Sequence, residues 1–196
     1  EAAATGRWRM LAARLSERRR DIAGRLAPAI TTRMQTLGMA GGRFEVHVEA
    51  LPDQQTNPHG LEQVEFLVSA NPGQPPRALG KVASGGELSR LSLAVQVTTA
   101  RPDGTATRAD SRCMVFDEVD SGVGGAVAEI VGRELAALGR HAQVLCVTHL
   151  PQVAAQGGAH LRVSKLTDGR TTRTQIVTLN LGQNIREGAH YNQFIV

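Results

Sequence analysis

Two short apolar runs constrain this chain more than any other feature. Cys113-Met114-Val115-Phe116 stops abruptly at Asp117-Glu118, and Val144-Leu145-Cys146-Val147 stops at Thr148-His149. Between them the Gly-rich turn Ser121-Gly122-Val123-Gly124-Gly125 leads into 126–138, where Val127, Ile130, Val131, Leu135 and Leu138 recur at helical spacing. A run that is apolar on both faces suits a strand in a covered sheet, and strand, helix and strand in this order join parallel neighbours by a right-handed crossover. Parallel neighbours end at one sheet edge, so Asp117, Glu118 and His149 are expected to converge there.

The rest of the chain supplies flanking elements. Trp8, Leu11, Leu15, Ile22, Leu26, Ile30 and Leu37 follow a three-and-four spacing, the mark of an amphipathic helix, with Arg7, Arg14, Arg18 and Arg25 along one border of the stripe. Pro28 lacks the N–H that a helix interior needs and predicts a kink or break there. Residues 43–51 alternate strictly and 61–69 offer a second strand, an expected antiparallel pair. The proline-rich stretch 71–80 reads as an irregular loop. Ser84-Gly85-Gly86-Glu87 has the form of a capping box, and Leu88, Leu91, Leu93, Ala94, Val95 and Val97 make the helix behind it apolar over much of its circumference. A polar loop covers 101–111, and 159–166 with 171–179 form an expected hairpin about Thr167-Asp168-Gly169-Arg170.

Composition narrows the class. The 196 residues are 41% hydrophobic, enough for a core. No apolar run approaches the ~18 residues of a membrane span, and no signal peptide is legible, so a soluble, intracellular protein is expected. The initial Glu1 in place of Met suggests a processed chain or a fragment. Cys113 and Cys146 sit in apolar runs and are expected to be inert core thiols. Residues 1–50 carry nine arginines against five acids, whereas the remainder is balanced. Only Lys81 and Lys165 are lysines. Arginine favours bidentate contact with phosphate, although a GC-rich genome gives the same bias.

An Asp-Glu pair at a strand end is the arrangement that holds Mg²⁺ through Asp and orients water through Glu in nucleotide hydrolysis, and the same pair also caps helices. Two glycines at a helix start expose backbone N–H groups to an anion, with the Ser84 hydroxyl beside them. His149, between a buried run and Pro151, is placed to meet a terminal phosphate. No G-x-x-x-x-G-K-[ST] phosphate cradle occurs, since Gly80-Lys81-Val82 has neither its spacing nor its hydroxyl.

KVASGGELSRL (81–91), MVFDEVDSGVGG (114–125) and VTHLPQVAA (147–155), with FLVSANPGQPPRALGKV (66–82) before them, resemble the RecN family of bacterial SMC-like ATPases of the ABC class. The resemblance implies an α/β fold: the C-terminal lobe of a P-loop ATPase head, with a parallel sheet, flanking helices and edge hairpins, preceded by a coiled-coil helix. The implied boundaries are 1–40 for the end of the arm, 41–180 for the lobe and 181–196 unassigned. It implies a phosphate-contacting signature turn at Ser84, Gly85, Gly86 and Glu87, Asp117 as the Mg²⁺ carboxylate, Glu118 as catalytic base and His149 as switch histidine. Related heads carry Asp where Gly124 stands, so communication through this loop must use Asp120, Ser121 or backbone groups instead, and Asp120 is counted among the nucleotide-binding residues. The implied cofactors are ATP and Mg²⁺. The implied partners are the Walker A half of the same head, a second head and DNA, with no membrane, in the nucleoid-associated cytoplasm. The implied function is ATP-driven head dimerisation in double-strand break repair and recombination, with this chain inactive alone. The alternatives are a metal-dependent phosphoesterase with Asp117, Glu118, Asp120 and His149 as ligands, or an ABC head from another system.

Overall fold

A computed structural model of the chain describes residues 2–52, 58–81, 85–100, 113–167, 171–179 and 193–195. Ser84, the expected loop 101–111 and residues 168–170 of the expected turn lie outside them. The chain divides into two compact units, 1–35 with 39–82, and 36–38 with 83–196.

In the first unit, helix α1 (Ala2–Thr36) precedes β1 (Arg43–Ala50), β2 (Glu62–Ser69) and the two-residue β3 (Arg77–Ala78), which form an antiparallel sheet in the order β1-β2-β3. Pro28 does not interrupt α1 as its missing N–H led us to expect. The helix loses one backbone bond at an exposed Gly24, where water can replace it, and the Thr32 hydroxyl donates to the Pro28 carbonyl at 3.0 Å. Nor is 71–80 wholly irregular, because Arg77 and Ala78 pair with Val68 and Leu67.

Ile30 and Met34 of α1 are fully buried with Phe44 and Val68 as the core of this unit, whereas Leu11, Leu15 and Ile22 stand exposed. The apolar stripe thus continues along α1 with these three residues exposed, although Ala12 and Ser16 beside them are buried. The expected basic edge is exposed at Arg7, Arg14, Arg18 and Arg25, the last paired with Asp21 at 2.8 Å.

Two ion pairs to one carboxylate join α1 to β2. Glu62 is buried, and its two carboxylate oxygens accept from Arg19 and Arg20, each at 3.4 Å. Gly60 lets the strand approach: a Cβ there would stand 3.1 Å from an Arg19 guanidinium nitrogen and 3.3 Å from Leu15.

The second unit holds α2 (Gly85–Thr99), β4 (Cys113–Phe116), α3 (Gly125–Gly139), β5 (Gln143–Thr148), the single turn α4 (Pro151–Ala154), the hairpin β6 (His160–Thr167) and β7 (Thr172–Leu179), and β8 (Gln193–Ile195). Its sheet runs β4-β5-β8-β6-β7. Only β4 and β5 are parallel, with Phe116 opposite Cys146, and α3 crosses between them as the pattern required. The unassigned tail contributes β8, which pairs antiparallel with both β5 and β6.

Two expectations fail at β4. It stands at the end of the strand order among the described residues, with Phe116 buried on one face and Cys113 and Val115 exposed on the other, which no described element covers. The sheet is therefore not covered on both faces at this edge, and Cys113 is not a core thiol. Cys146, one strand inward, is buried as expected.

Replacing Arg19 and Arg20 together by Ala leaves Glu62 buried without a counter-charge. The first unit is expected to lose about 3 kcal/mol, the low end for a broken buried pair because both guanidinium groups reach water. Urea unfolding checks this, and Glu62→Gln, which removes the charge itself, is expected to cost clearly less.

Candidate functional site

The site forms where the parallel ladder ends. Because Phe116 and Cys146 are register partners, the turns that follow β4 and β5 leave the sheet side by side. Asp117, Glu118, Asp120, Ser121, Val147, Thr148 and His149 line one pocket of about 290 Å³.

Each acid there has a different partner. Asp117 is exposed, and its Oδ1 accepts from the Glu118 amide at 2.9 Å. Its carbonyl accepts from the Ser89 hydroxyl of α2 at 2.6 Å. Glu118 has φ 56°, the one non-glycine residue in the left-handed region among the described residues. Such a backbone costs roughly 1–3 kcal/mol and persists only where the surroundings enforce it. Here it turns the side chain onto the start of α2, where unbonded N–H groups and the positive end of the helix dipole attract a carboxylate.

Glycine permits that approach. A Cβ at Gly85 would stand 2.5 Å from Glu118 Oε2. At Gly86 it would meet Ser121 Cβ at 2.9 Å, an Arg90 guanidinium nitrogen at 3.2 Å and the Glu118 carbonyl at 3.2 Å. Arg90 is buried and its Nη1 donates to the Ser121 carbonyl at 2.6 Å, while its Nε has no hydrogen-bond partner among the described residues. Burial lowers the Arg90 pKa and the nearby Glu87 raises it, which leaves an arginine charged in either case. Sequence reasoning missed Ser89 and Arg90, because a Ser and an Arg on a helix read as solvated positions. The only signal was that both fall one helical turn behind the two glycines.

Asp120 is the most enclosed acid, 2% exposed. Its Oδ2 accepts from the Thr148 hydroxyl, from the His149 amide at 3.0 Å and from the Leu150 amide at 3.3 Å. His149 Nδ1 lies 3.3 Å from the same oxygen, and the ring itself is 58% exposed. Burial, with Asp120 and Asp117 adding to it, pushes the Cys146 thiol up to about 12, so this cysteine stays protonated and unreactive.

The structure therefore gathers Asp117, Glu118, Asp120 and His149, with Gly85 and Gly86 against Glu118. Glu87 lies in the first turn of α2. Ser84 lies outside the described residues. An exposed carboxylate in this pocket suits Mg²⁺, which takes one or two carboxylates and fills its remaining positions with water and phosphate oxygens. The four-ligand metal set of the phosphoesterase alternative fits poorly, since Asp120 Oδ2 is already saturated by protein donors and Glu118 turns toward α2. Among the described residues no three His, Cys, Asp or Glu side chains converge as a metal-binding group.

The two glycines are expected to respond differently to Ala. Gly86→Ala meets backbone and a short side chain that cannot yield, and is expected to destabilise the second unit by roughly 1–3 kcal/mol. Gly85→Ala meets only the end of a flexible side chain, and is expected to leave the unfolding free energy within about 0.5 kcal/mol of the parent while displacing Glu118. Equal losses at both positions would contradict the packing described.

No protein-family model matches the chain. It is 48% identical over 174 residues, 89% of its length, to the DNA repair protein RecN of Xylella fastidiosa, and 44% identical over the same share to that of Vibrio cholerae. It spans about 30% of the length of each of these relatives. Among solved structures, the Smc head domain with a coiled coil and joint from Pyrococcus yayanosii superposes with a TM-score of 0.53 at 20% identity, over 83% of this chain and 28% of that one. That likeness fixes the fold as a lobe of the SMC head type, in line with the α/β architecture expected. The chain belongs to the RecN family.

Proposed function

We propose that this chain is the C-terminal lobe of an SMC-like ATPase head that acts in DNA double-strand break repair, and that it works only when joined to the half that carries the phosphate-binding loop. The observation that carries this reading is the shared pocket of Asp117, Glu118 and His149 beside the glycine turn of α2. The relatives' name, DNA repair protein, and the SMC head fold point the same way.

In this reading Asp117 holds Mg²⁺ through its free carboxylate oxygen, directly or through water, and Glu118 orients the attacking water and accepts its proton. Mg²⁺, when bound, supplies charge neutralisation between the terminal phosphates of ATP. His149 approaches the terminal phosphate from the β5 side. Ser84, Gly85, Gly86 and Glu87 present the α2 N-terminus to a nucleotide held by a second head, so that ATP binding closes a homodimer and hydrolysis releases it. The exposed stripe Leu11, Leu15 and Ile22 packs in a coiled-coil arm, and the arginine edge of α1 follows a DNA backbone. The setting is the nucleoid-associated cytoplasm. Among the described residues no helix is long and apolar enough to cross a membrane.

The chain alone is expected to show no Mg-ATP turnover. Mixed with a separately produced remainder of a RecN head it is expected to hydrolyse ATP, and Glu118→Gln is expected to slow that turnover by about 10²–10⁴-fold, the usual contribution of a general base. Turnover by the chain alone, or turnover in the mixture that survives the substitution, overturns the assignment.

Charge reversal at Arg7, Arg14, Arg18 and Arg25 is expected to weaken duplex binding at low salt. The slope of log affinity against log salt is expected to flatten by about 0.9 for each DNA phosphate that these arginines no longer neutralise. Unchanged binding at low salt removes DNA from this face of α1.

A further inference from the structure

We propose that Arg90 and Ser89 of α2 are positioning residues, a clamp that grips the turn 117–121 on both sides of Glu118 and keeps that residue left-handed, with its carboxylate at the start of α2. The Ser89 hydroxyl donates to the Asp117 carbonyl at 2.6 Å, and Arg90 Nη1 donates to the Ser121 carbonyl at 2.6 Å. One carbonyl precedes the strained residue and the other follows it. A single helix therefore holds both flanks.

The bonds within the turn do not tie it to α2. The Glu118 amide donates to Asp117 Oδ1 at 2.9 Å, and the Glu118 carbonyl accepts from the Ser121 amide at 3.0 Å, so both close the turn upon itself. The Asp120 side chain ties it to the residues after β5. Toward α2 the hydrogen bonds come from Ser89 and Arg90. A bulky residue at φ 56° relaxes when its flanks are free, so this conformation needs anchors beyond the turn itself.

Arg90 is an expensive residue for mere space-filling. It is 6% exposed, and its Nε has no hydrogen-bond partner among the described residues. An apolar side chain of similar length would fill the space without leaving a buried donor unpaired. What the guanidinium alone supplies is a charged donor to the Ser121 carbonyl. Gly86 leaves room for it, since a Cβ there would stand 3.2 Å from Arg90 Nη1 and 3.2 Å from the Glu118 carbonyl. That Glu118 serves as general base rests on the function proposed above, but the clamp does not.

Two measurements on the 196-residue chain without nucleotide test this. A positive φ brings an amide proton close to its own Hα, so the parent is expected to show a strong intraresidue nuclear Overhauser effect at Glu118. Ser89→Ala combined with Arg90→Met is expected to weaken it to the level of ordinary helix and strand residues, whereas Ser89→Thr, which keeps the hydroxyl, is expected to preserve it. In urea, Glu118→Gly is expected to have an unfolding constant roughly two- to fivefold smaller than Glu118→Ala, because glycine takes this backbone without strain. With both donors replaced, that advantage is expected to vanish. A strong effect at Glu118 that survives the loss of both donors, or an undiminished glycine advantage there, overturns the proposal. Should the paired variant fail to fold, Ser89→Ala alone decides it by the same two readings. Absent ATP turnover with these responses intact would count against the proposed function and leave the positioning role standing.

Discussion

The parallel pairing of β4 with β5 is the constraint on which the site depends. A register in which Phe116 faces Cys146 brings the two strand ends out of the sheet together, and it places the turn 117–122 beside the turn 148–150. An antiparallel pairing of the same two strands would send those turns to opposite ends of the sheet. The crossover helix α3 makes the parallel arrangement attainable, and its buried face of Ala128, Val131, Leu135 and Leu138 supplies the core beneath the ladder.

Three carboxylates within one small pocket would repel one another if nothing opposed them. The second unit answers each with a different source of positive potential. Asp117 receives the amide of its neighbour, Glu118 lies on the N-terminal end of α2, and Asp120 gathers a hydroxyl and two amides. The buried guanidinium of Arg90 adds a full charge beside the turn that bears them. The strained backbone of Glu118 is the cost of turning its carboxylate toward α2, and the absent side chains of Gly85 and Gly86 leave the room.

The first unit obeys a different logic. Its sheet holds α1 through Ile30, Met34 and Phe44 at one end and through the Arg19, Arg20 and Glu62 cluster further along. Toward the N-terminus of α1, Met10, Leu11, Leu15 and Ile22 are exposed while Ala12 and Ser16 are buried. The ion pairs of that cluster resist fraying without requiring a larger core.

Much of this was legible in the sequence because it is governed by local period and by the chemistry of strand ends. Alternation in 43–51 and 61–69, helical spacing in 126–138, and two apolar runs closed by polar residues each predict an element with bounds near those observed, and the order strand, helix, strand predicts the parallel pair. The tertiary structure alone decided where side chains point and which faces are covered. Cys113 and Val115 are exposed because no described element covers their face of β4, a matter of packing that no local pattern carries. The final residues became an inner strand because β5 offered a free ladder, not through any period of their own. Asp120 is buried and shared among the residues after β5, while the adjacent Glu118 turns to α2. The sequence places these two acids in one short motif, but their surroundings come from segments about thirty residues away on either side, and the fold alone brings those segments into contact.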